Sequence, residues 1–291
     1  MYENTEDYKQ VTLGLATLTL IDAKKLYDIA GCRNAVDLFC GAGGLSHGLE
    51  MAGIKILLAN DNFKQACTTY RNNHPGTLLI DGDINDENTR AKIFKSLNGK
   101  EIDLICGGPP CQGVSVEVEY LFDDPRNSLF KMFVEIVKSI NPKYFLMENV
   151  EGLLTLNEGR TYNSIVQYFE EIGYDVKGYK LLAAEYGVPQ KRNRVFIYGI
   201  LKEINISPTQ LLPERYFEEE DNQMRLLKKD RKKQRFVSVK EALSDLPKID
   251  MDGGEEILRS RIEKLTSYQM LMKEIVDFEE FFKLRSLELE S

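Results

Sequence analysis

The run DLICGGPPCQGVS, Asp103 to Ser115, ends a β-rich stretch at two prolines and hands a single thiol, Cys111, to a loop of glycine and serine. Prolines lack the N–H that a strand ladder needs, so the chain must leave the sheet at Pro109 and Pro110 and expose the next residues. A cysteine in that position suits a nucleophile. An ordinary thiol with a pKa of ~8.5 is only a few per cent thiolate near neutrality, so it requires helpers from elsewhere in the chain. YFLMENVEGLL, Tyr144 to Leu154, supplies a carboxylic acid, Glu148, with Asn149 beside it, at another strand end. EYGVPQKRNRVFIYG, Glu185 to Gly199, brings Gln190, Arg192 and Arg194 just ahead of a further strand, where alternation puts both arginines on one face. Arginines on a half-buried face need a carboxylate or an anionic ligand to meet.

A second constellation has the makings of a cofactor site. AVDLFCGAGGLSHGLEMAG, Ala35 to Gly53, reads as a strand with an acidic residue, a glycine-rich turn and a helix. Gly41, Gly43 and Gly44 let a backbone approach a ligand closely at a helix N-terminus. Asp61 follows the second strand, where a carboxylate can accept ribose hydroxyls, and Asp83, in DGDIND, follows the third, where it can accept an exocyclic amine. Each acid could equally be a turn former or helix cap. Their joint occurrence after successive strands favours an adenosine-bearing cofactor, and the GAGG spacing, which is not GxGxxG, disfavours a dinucleotide.

The elements that must position these residues alternate from Asn34 to Gly199. Strand-like runs near residues 35–39, 56–60, 77–80, 102–106 and 144–147 are separated by helix-length amphipathic segments, the pattern of a doubly wound, mostly parallel sheet of Rossmann-like type. A helix around residues 161–172 precedes strands at 174–182 and 194–200, expected as an antiparallel pair that closes the sheet. Beyond Gly199 the alternation stops. Residues 202–234 are charged and weakly patterned, and from Glu256 apolar residues recur at helical spacing (Ile257, Leu258, Ile262, Leu265, Tyr268, Leu271, Met272, Ile275, Val276), as in one long amphipathic helix or two. The expected organisation is an N-terminal helix over 1–31, a catalytic domain over 32–201 and a charged, helical extension over 202–291.

Composition bounds the function. The 291 residues are 43% hydrophobic, enough for a large core, and no apolar run approaches the ~20 residues that span a bilayer. The polar, acidic N-terminus is unlike a secretion signal, so a soluble, cytoplasmic protein with no membrane partner is expected. Five cysteines without paired spacing and two histidines make a metal site or disulfide framework an unpromising reading. The net charge of -8 runs against nucleic-acid binding, but RLLKKDRKKQR, Arg225 to Arg235, concentrates positive charge, either as a solvated helix face or as a phosphate-contacting arm.

In family order, the motifs DLFCGAGG, ANDN, GDIND, GGPPCQGVS, DDPRNSLF, MENVEGLL and VPQKRNRVF resemble those of the C5-cytosine DNA methyltransferases, from about Ala35 to Gly199. The resemblance implies the S-adenosylmethionine-dependent methyltransferase fold, S-adenosylmethionine as methyl donor and duplex DNA as partner. It places Phe39 on the adenine, Asp61 on the ribose and Asp83 on the adenine amine, with Gly41, Gly43, Gly44, Asn62, Ile84 and Pro109 in the same cofactor motifs. Pro110 and Cys111 fill the Pro-Cys dipeptide whose thiol attacks C6 of an extruded cytosine. Glu148 would hold N3 and the exocyclic amine, with a pKa raised by burial; Arg192 and Arg194 would orient the loop and base; Asn149 and Gln190 would support the pocket.

Members of that family continue into a target recognition region and a last helix with a Gly-Asn-Ser-Val-like motif. Here SVKEALSDLP, Ser238 to Pro247, and SYQMLM resemble only the start of the variable region. DYKQVTLGLATLTLIDAKKLYDIAG, Asp7 to Gly31, resembles the family's last motif moved ahead of the first, although Thr12-Leu13-Gly14 replaces Gly-Asn-Ser. The resulting expectation is the catalytic chain of a two-subunit member, with a second protein supplying recognition. The alternatives are a tRNA C5-cytosine methyltransferase of the same family, against which GVS after Pro-Cys-Gln argues, and a non-catalytic regulatory subunit, against which Cys111, Glu148 and both arginines argue.

Overall fold

The computed structural model describes residues 31–110, 128–211, 217–218, 234–246, 265–273, 275–276 and 278–290. Cys111, the expected N-terminal helix up to residue 30, most of the basic run and Ile257, Leu258 and Ile262 lie outside those residues.

The segment Asn34–Leu38 forms β1, with β2 at Lys55–Asp61, β3 at Leu78–Asp81, β4 at Leu104–Gly107, β5 at Tyr144–Val150, β6 at Tyr174–Leu182 and β7 at Asn193–Leu201. Helices α1 (Gly44–Met51), α2 (Lys64–Asn73), α3 (Glu87–Leu97), α4 (Ser128–Ile140) and α5 (Arg160–Glu171) intervene. The sheet order is β3-β2-β1-β4-β5-β7-β6. Pairings among β1 to β5 are parallel, and β7 runs antiparallel to both of its neighbours. The expected antiparallel pair therefore closes the sheet, with β7 threaded between β5 and β6 and β6 forming the edge.

The parallel strands are short apolar runs because they are covered on both faces. In β1, Val36 and Leu38 join Ile105, Phe133, Phe145, Met147 and Phe169 in one core, while Ala35 faces the other, with Leu49, Ile56, Cys106, Leu146 and Tyr198. Helix α4 buries Phe130, Phe133, Val134, Ile136 and Val137 and ends at Asn141, whose positive φ of 51° and following Pro142 stop the helix. The chain order reverses direction between β1 and β4, the switch point at which ligands bind in open α/β sheets, outside the carboxyl ends of the strands.

Within the described part of the helical pattern past Glu256, Leu265 precedes a helix and Ile275 and Val276 follow it, so no single helix runs from Leu265 to Val276. Thr266 and Gln269 form a reciprocal capping box that starts a six-residue helix, α7 (Ser267–Met272), and α8 (Phe278–Glu290) follows after a break. These helices, the short α6 (Val239–Leu243), and the two-residue strands β8 (Phe217–Glu218) and β9 (Gln234–Arg235) surround a separate small cluster of Phe217, Val237, Tyr268, Leu271 and Phe281. Arg285 lies fully buried beside it, donating to Glu241 Oε1 at 3.1 Å and to the carbonyls of Arg235 and Phe236. A buried charge is tolerable when paired and hydrogen-bonded in this way. Among the described residues no helix is long and apolar enough to cross a membrane, and no group of three or more His, Cys, Asp or Glu could hold a metal ion.

One carboxylate fastens the amino ends of the central strands. Asp103 Oδ2 accepts the N–H groups of Arg33 and Asn34 at 2.9 and 3.0 Å, and Oδ1 accepts Lys143 Nζ at 2.7 Å, so β1, β4 and β5 share an anchor. Burial pushes the Asp103 carboxyl up, but Lys143 and the two amides outweigh it and hold the group below its ordinary range. The anchor is thus intact above the unfolded aspartate value of about 3.9 and weakens as pH falls below it. Replacing Asp103 with alanine leaves two amides without their acceptor, and urea unfolding is expected to show a loss of about 1–3 kcal/mol at pH 7 that shrinks towards pH 3.

Candidate active site

The carboxyl ends of β1 to β5 gather nearly all the chemistry-bearing residues. After β1 the chain turns at Phe39, which has a φ of +59°. A bulky side chain rarely adopts that conformation, and strain of this kind clusters where a ligand is clamped. The ring of Phe39 lines a cleft of about 260 Å³ together with Asp61, Asn62, Asp83, Ile84 and Pro110. That volume is close to the lower end of the roughly 300–1,000 Å³ usual for small-molecule sites. Asn60, Gly82, Gly108 and Leu129 complete the wall.

Asp61 holds the cleft's two lips together. Its Oδ2 accepts the Gly41 N–H at 2.9 Å and its Oδ1 the Phe63 N–H at 2.8 Å, which ties the glycine turn after β1 to the start of α2. A carboxylate has about four acceptor sites, so two remain open to a ligand's donors. Gly41 has a φ of +55° and an open space where a side chain would stand. Gly43 serves packing instead: with φ +95° it caps α1, and a Cβ there would overlap the His74 ring. Gly44 opens α1. Asp83 is exposed two residues past β3 and uses Oδ1 to accept the Asn85 N–H at 2.9 Å, a turn-forming contact that occupies only one of its oxygens.

On the far side of Gly108 stands the acid. Glu148, near the end of β5, pairs with Arg194 through Nε···Oε1 at 2.8 Å. A Cβ on Gly108 would lie 3.1 Å from Glu148 Oε2, so the glycine of GGPPC lets the loop press against this carboxylate. Burial pushes the Glu148 carboxyl above its ordinary range, and Arg194 and Arg192 pull in the opposite direction without cancelling the effect. Arg192 Nε is buried with no hydrogen-bond partner among the described residues, a donor waiting for an acceptor. Asn149 donates its side-chain amide to the Pro109 carbonyl at 3.0 Å, securing the loop that leads to Cys111.

The structure thus brings Phe39, Gly41, Asp61, Asn62, Asp83, Ile84 and Pro110 to the cleft, and Glu148, Asn149, Arg192 and Arg194 to its flank. Pro109 lies buried beneath, with its carbonyl facing Asn149. Gln190 stands exposed on the loop ahead of β7, its N–H on the Val188 carbonyl, and is not drawn into the Glu148 pair. Cys111 lies outside the described residues, next to Pro110. The sequence reading missed Asn60, whose buried amide donates to the Ile80 and Gly82 carbonyls and joins the second lip to the third. It also missed Leu129. Both lie inside recognisable motifs, ANDN and NSLF, but neither residue type signals a site on its own.

Comparison with known proteins identifies the family. The family model described as C-5 cytosine-specific DNA methylase matches residues 33–280. Type II methyltransferase M.DdeI of Desulfomicrobium norvegicum is 37% identical over 243 residues, covering 82% of this chain and 54% of the relative. Type II methyltransferase M.AquIA of Picosynechococcus is 38% identical over 177 residues, covering 57% of this chain and 71% of the relative. A crystal structure described as a DNA modification methyltransferase encoded within a prophage (E. coli) shares 30% identity with a TM-score of 0.61, covering 87% of this chain and 69% of that one. The chain spans about half the length of the first curated relatives it matches. With a family match across most of its length, and a fold that is that of the S-adenosylmethionine-dependent methyltransferases, this chain belongs to the C-5 cytosine-specific DNA methylase family.

Proposed function

We propose that the chain transfers a methyl group from S-adenosylmethionine to C5 of a cytosine in duplex DNA. The observation that carries this reading is the half-buried, arginine-held Glu148 set against the Gly108 end of an adenosine-sized cleft. The donor, when bound, supplies an electrophilic methyl group on a sulfonium. The residues fit such a molecule: Phe39 offers an aromatic face, Asp61 keeps free lone pairs, and Asp83 commits only one of its oxygens to the turn.

Cytosine C5 is a poor nucleophile, and the proposed chemistry raises its electron density. The Cys111 thiolate adds to C6, and Glu148, holding a proton at N3, accepts the charge that the addition pushes into the ring. The resulting enamine carbon C5 takes the methyl group, leaving the donor as a neutral thioether; a solvent water takes the C5 proton as the thiolate is eliminated, and N3 returns its proton to Glu148 as the product leaves. Arg194 keeps the Glu148 carboxyl oriented, and the open Nε of Arg192 offers a donor to an incoming acceptor. A base within a duplex cannot reach a pocket this recessed, so it must be extruded at a cost of roughly a few kcal/mol.

The proposal extends to a second chain that supplies target recognition. What supports it is that M.AquIA is a short relative, matched over most of its own length by 177 residues. Within this reading the negative charge of the present chain leaves most of the phosphate contacts to a basic partner.

Cys111→Ser is expected to abolish transfer of labelled methyl to DNA and the covalent adduct with 5-fluorocytosine DNA, with donor binding preserved; normal turnover by this variant would remove the mechanism. Glu148→Gln keeps the shape but not the titrating proton, and single-turnover rates should drop by about 10²–10⁴. Adding the protein encoded beside this one should raise sequence-specific methylation at least tenfold in a filter-binding assay, whereas full specific activity from this chain alone would refute the split. Label incorporated into tRNA in place of duplex DNA would reassign the substrate.

A further inference from the structure

Behind the glycine turn, and unused by the proposed methyl transfer, lies a buried acid. Asp37 is fully buried in β1, two residues before Phe39, or about 7 Å along the strand from a wall of the cleft. Its Oδ2 accepts the Ser46 hydroxyl at 2.6 Å, and Ser46 Oγ lies 2.8 Å from the Tyr70 hydroxyl. The Ser46 backbone N–H also bears on this carboxylate. Helix α1 begins at Gly43 without a side-chain cap, so Asp37 acts from the strand as the cap for its first turn. Asp37 Oδ1 has no hydrogen-bond partner of ordinary geometry.

The groups that face this acid are Ser46 from α1, the Cys106 thiol from β4, the Tyr70 hydroxyl from α2 through Ser46, the Cys40 thiol of the turn and the Asp61 carboxylate at the end of β2. None of them is a cation. Burial is the main reason that the Asp37 carboxyl is pushed up to about 7, with Asp61 adding to the effect and Ser46 and Cys106 opposing it. Structure alone would be served by an asparagine, which accepts from Ser46 and carries no charge to bury. A carboxylate makes a difference only to something charged nearby, and the methyl donor of the proposed reaction is a sulfonium cation while its demethylated product is a neutral thioether.

We propose that Asp37, held by Ser46 and Tyr70 behind the glycine turn, is a positioning residue that makes the cleft discriminate in favour of the cationic methyl donor over its neutral product. This inference rests on the methyl-donor reading of the cleft. A cation in the cleft stabilises ionised Asp37 and lowers its pKa, so binding the donor expels a proton when the pH is near that of half-ionisation. Binding the product does not. Donor affinity therefore rises as pH increases through about 7, and product affinity stays level. The energy stored in ionising a buried acid is recovered when the sulfonium arrives and is lost again once the methyl group has left, which favours product release.

Isothermal titration of the whole chain with S-adenosylmethionine and with S-adenosylhomocysteine, in two buffers of different ionisation enthalpy at pH 6, 7 and 8, reads the protons directly. A fraction of a proton should be released near pH 7 with the donor and none with the product, and donor-over-product preference should grow about three- to tenfold from pH 6 to pH 8. Asp37→Asn should abolish both the release and the pH-dependent preference while still binding the product. Tyr70→Phe, which removes only one hydroxyl, should shift the release to higher pH and serves if the Asp37 variant does not fold. Equal proton release for both ligands, or release that persists in Asp37→Asn, overturns the inference. Failure of the wild-type chain to bind either ligand overturns the donor reading of the cleft instead.

Discussion

The direction of one strand decides whether this site can exist. β7 enters between β5 and β6 and runs antiparallel to β5, so its beginning lies beside the end of β5, with Arg194 opposite Val150 and Phe196 opposite Glu148. Were β7 parallel, like the strands before it, Arg192 and Arg194 would arrive at the opposite edge of the sheet, near the Asp103 anchor. The antiparallel insertion places a charge pair where the parallel strands already open the cleft. Glu148 can therefore be half-buried and still paired, a condition that a lone carboxylate at a strand end would not meet.

Two carboxylates of different character frame the same glycine turn. Asp61 has backbone amides on both oxygens and ties neighbouring loops together, whereas Asp37 is sealed beneath with one oxygen lacking an ordinary partner. Asp103, a third, does comparable fastening work at the other end of the sheet. The strands' amino ends are thus locked by a cation and amides, while their carboxyl ends retain open acceptors and donors. Such asymmetry between a settled edge and an unsettled one is what a rigid scaffold presenting a reactive surface requires.

Much of this was legible in the sequence, because apolar runs bounded by turn residues fix strand positions and the chemistry-bearing residues sit at their ends. The seven strands of the main sheet fall within a few residues of where the pattern puts them. What periodicity does not encode is which strands become neighbours: pairing between β5 and β7 spans a long stretch of chain, so the order of the two strands within the closing antiparallel pair is not written in their order along the sequence. The same limit hid the dual hold of Asp61 and the Asn60 bridge, which depend on the spacing between loops. By contrast, the start of a helix at Ser267 was visible in Thr266-Ser267-Tyr268-Gln269, a capping box that apolar periodicity alone does not register.

The prolines after β4 carry a consequence for motion. Pro109 and Pro110 have no N–H to give, and Asn149 takes the Pro109 carbonyl, so this stretch cannot be recruited to lengthen β4 by sliding along its neighbours. The strand ends at a fixed fulcrum set by β5. The end of β4 and the acid on β5 therefore share one frame of reference, although a whole helix, α4, separates them along the chain.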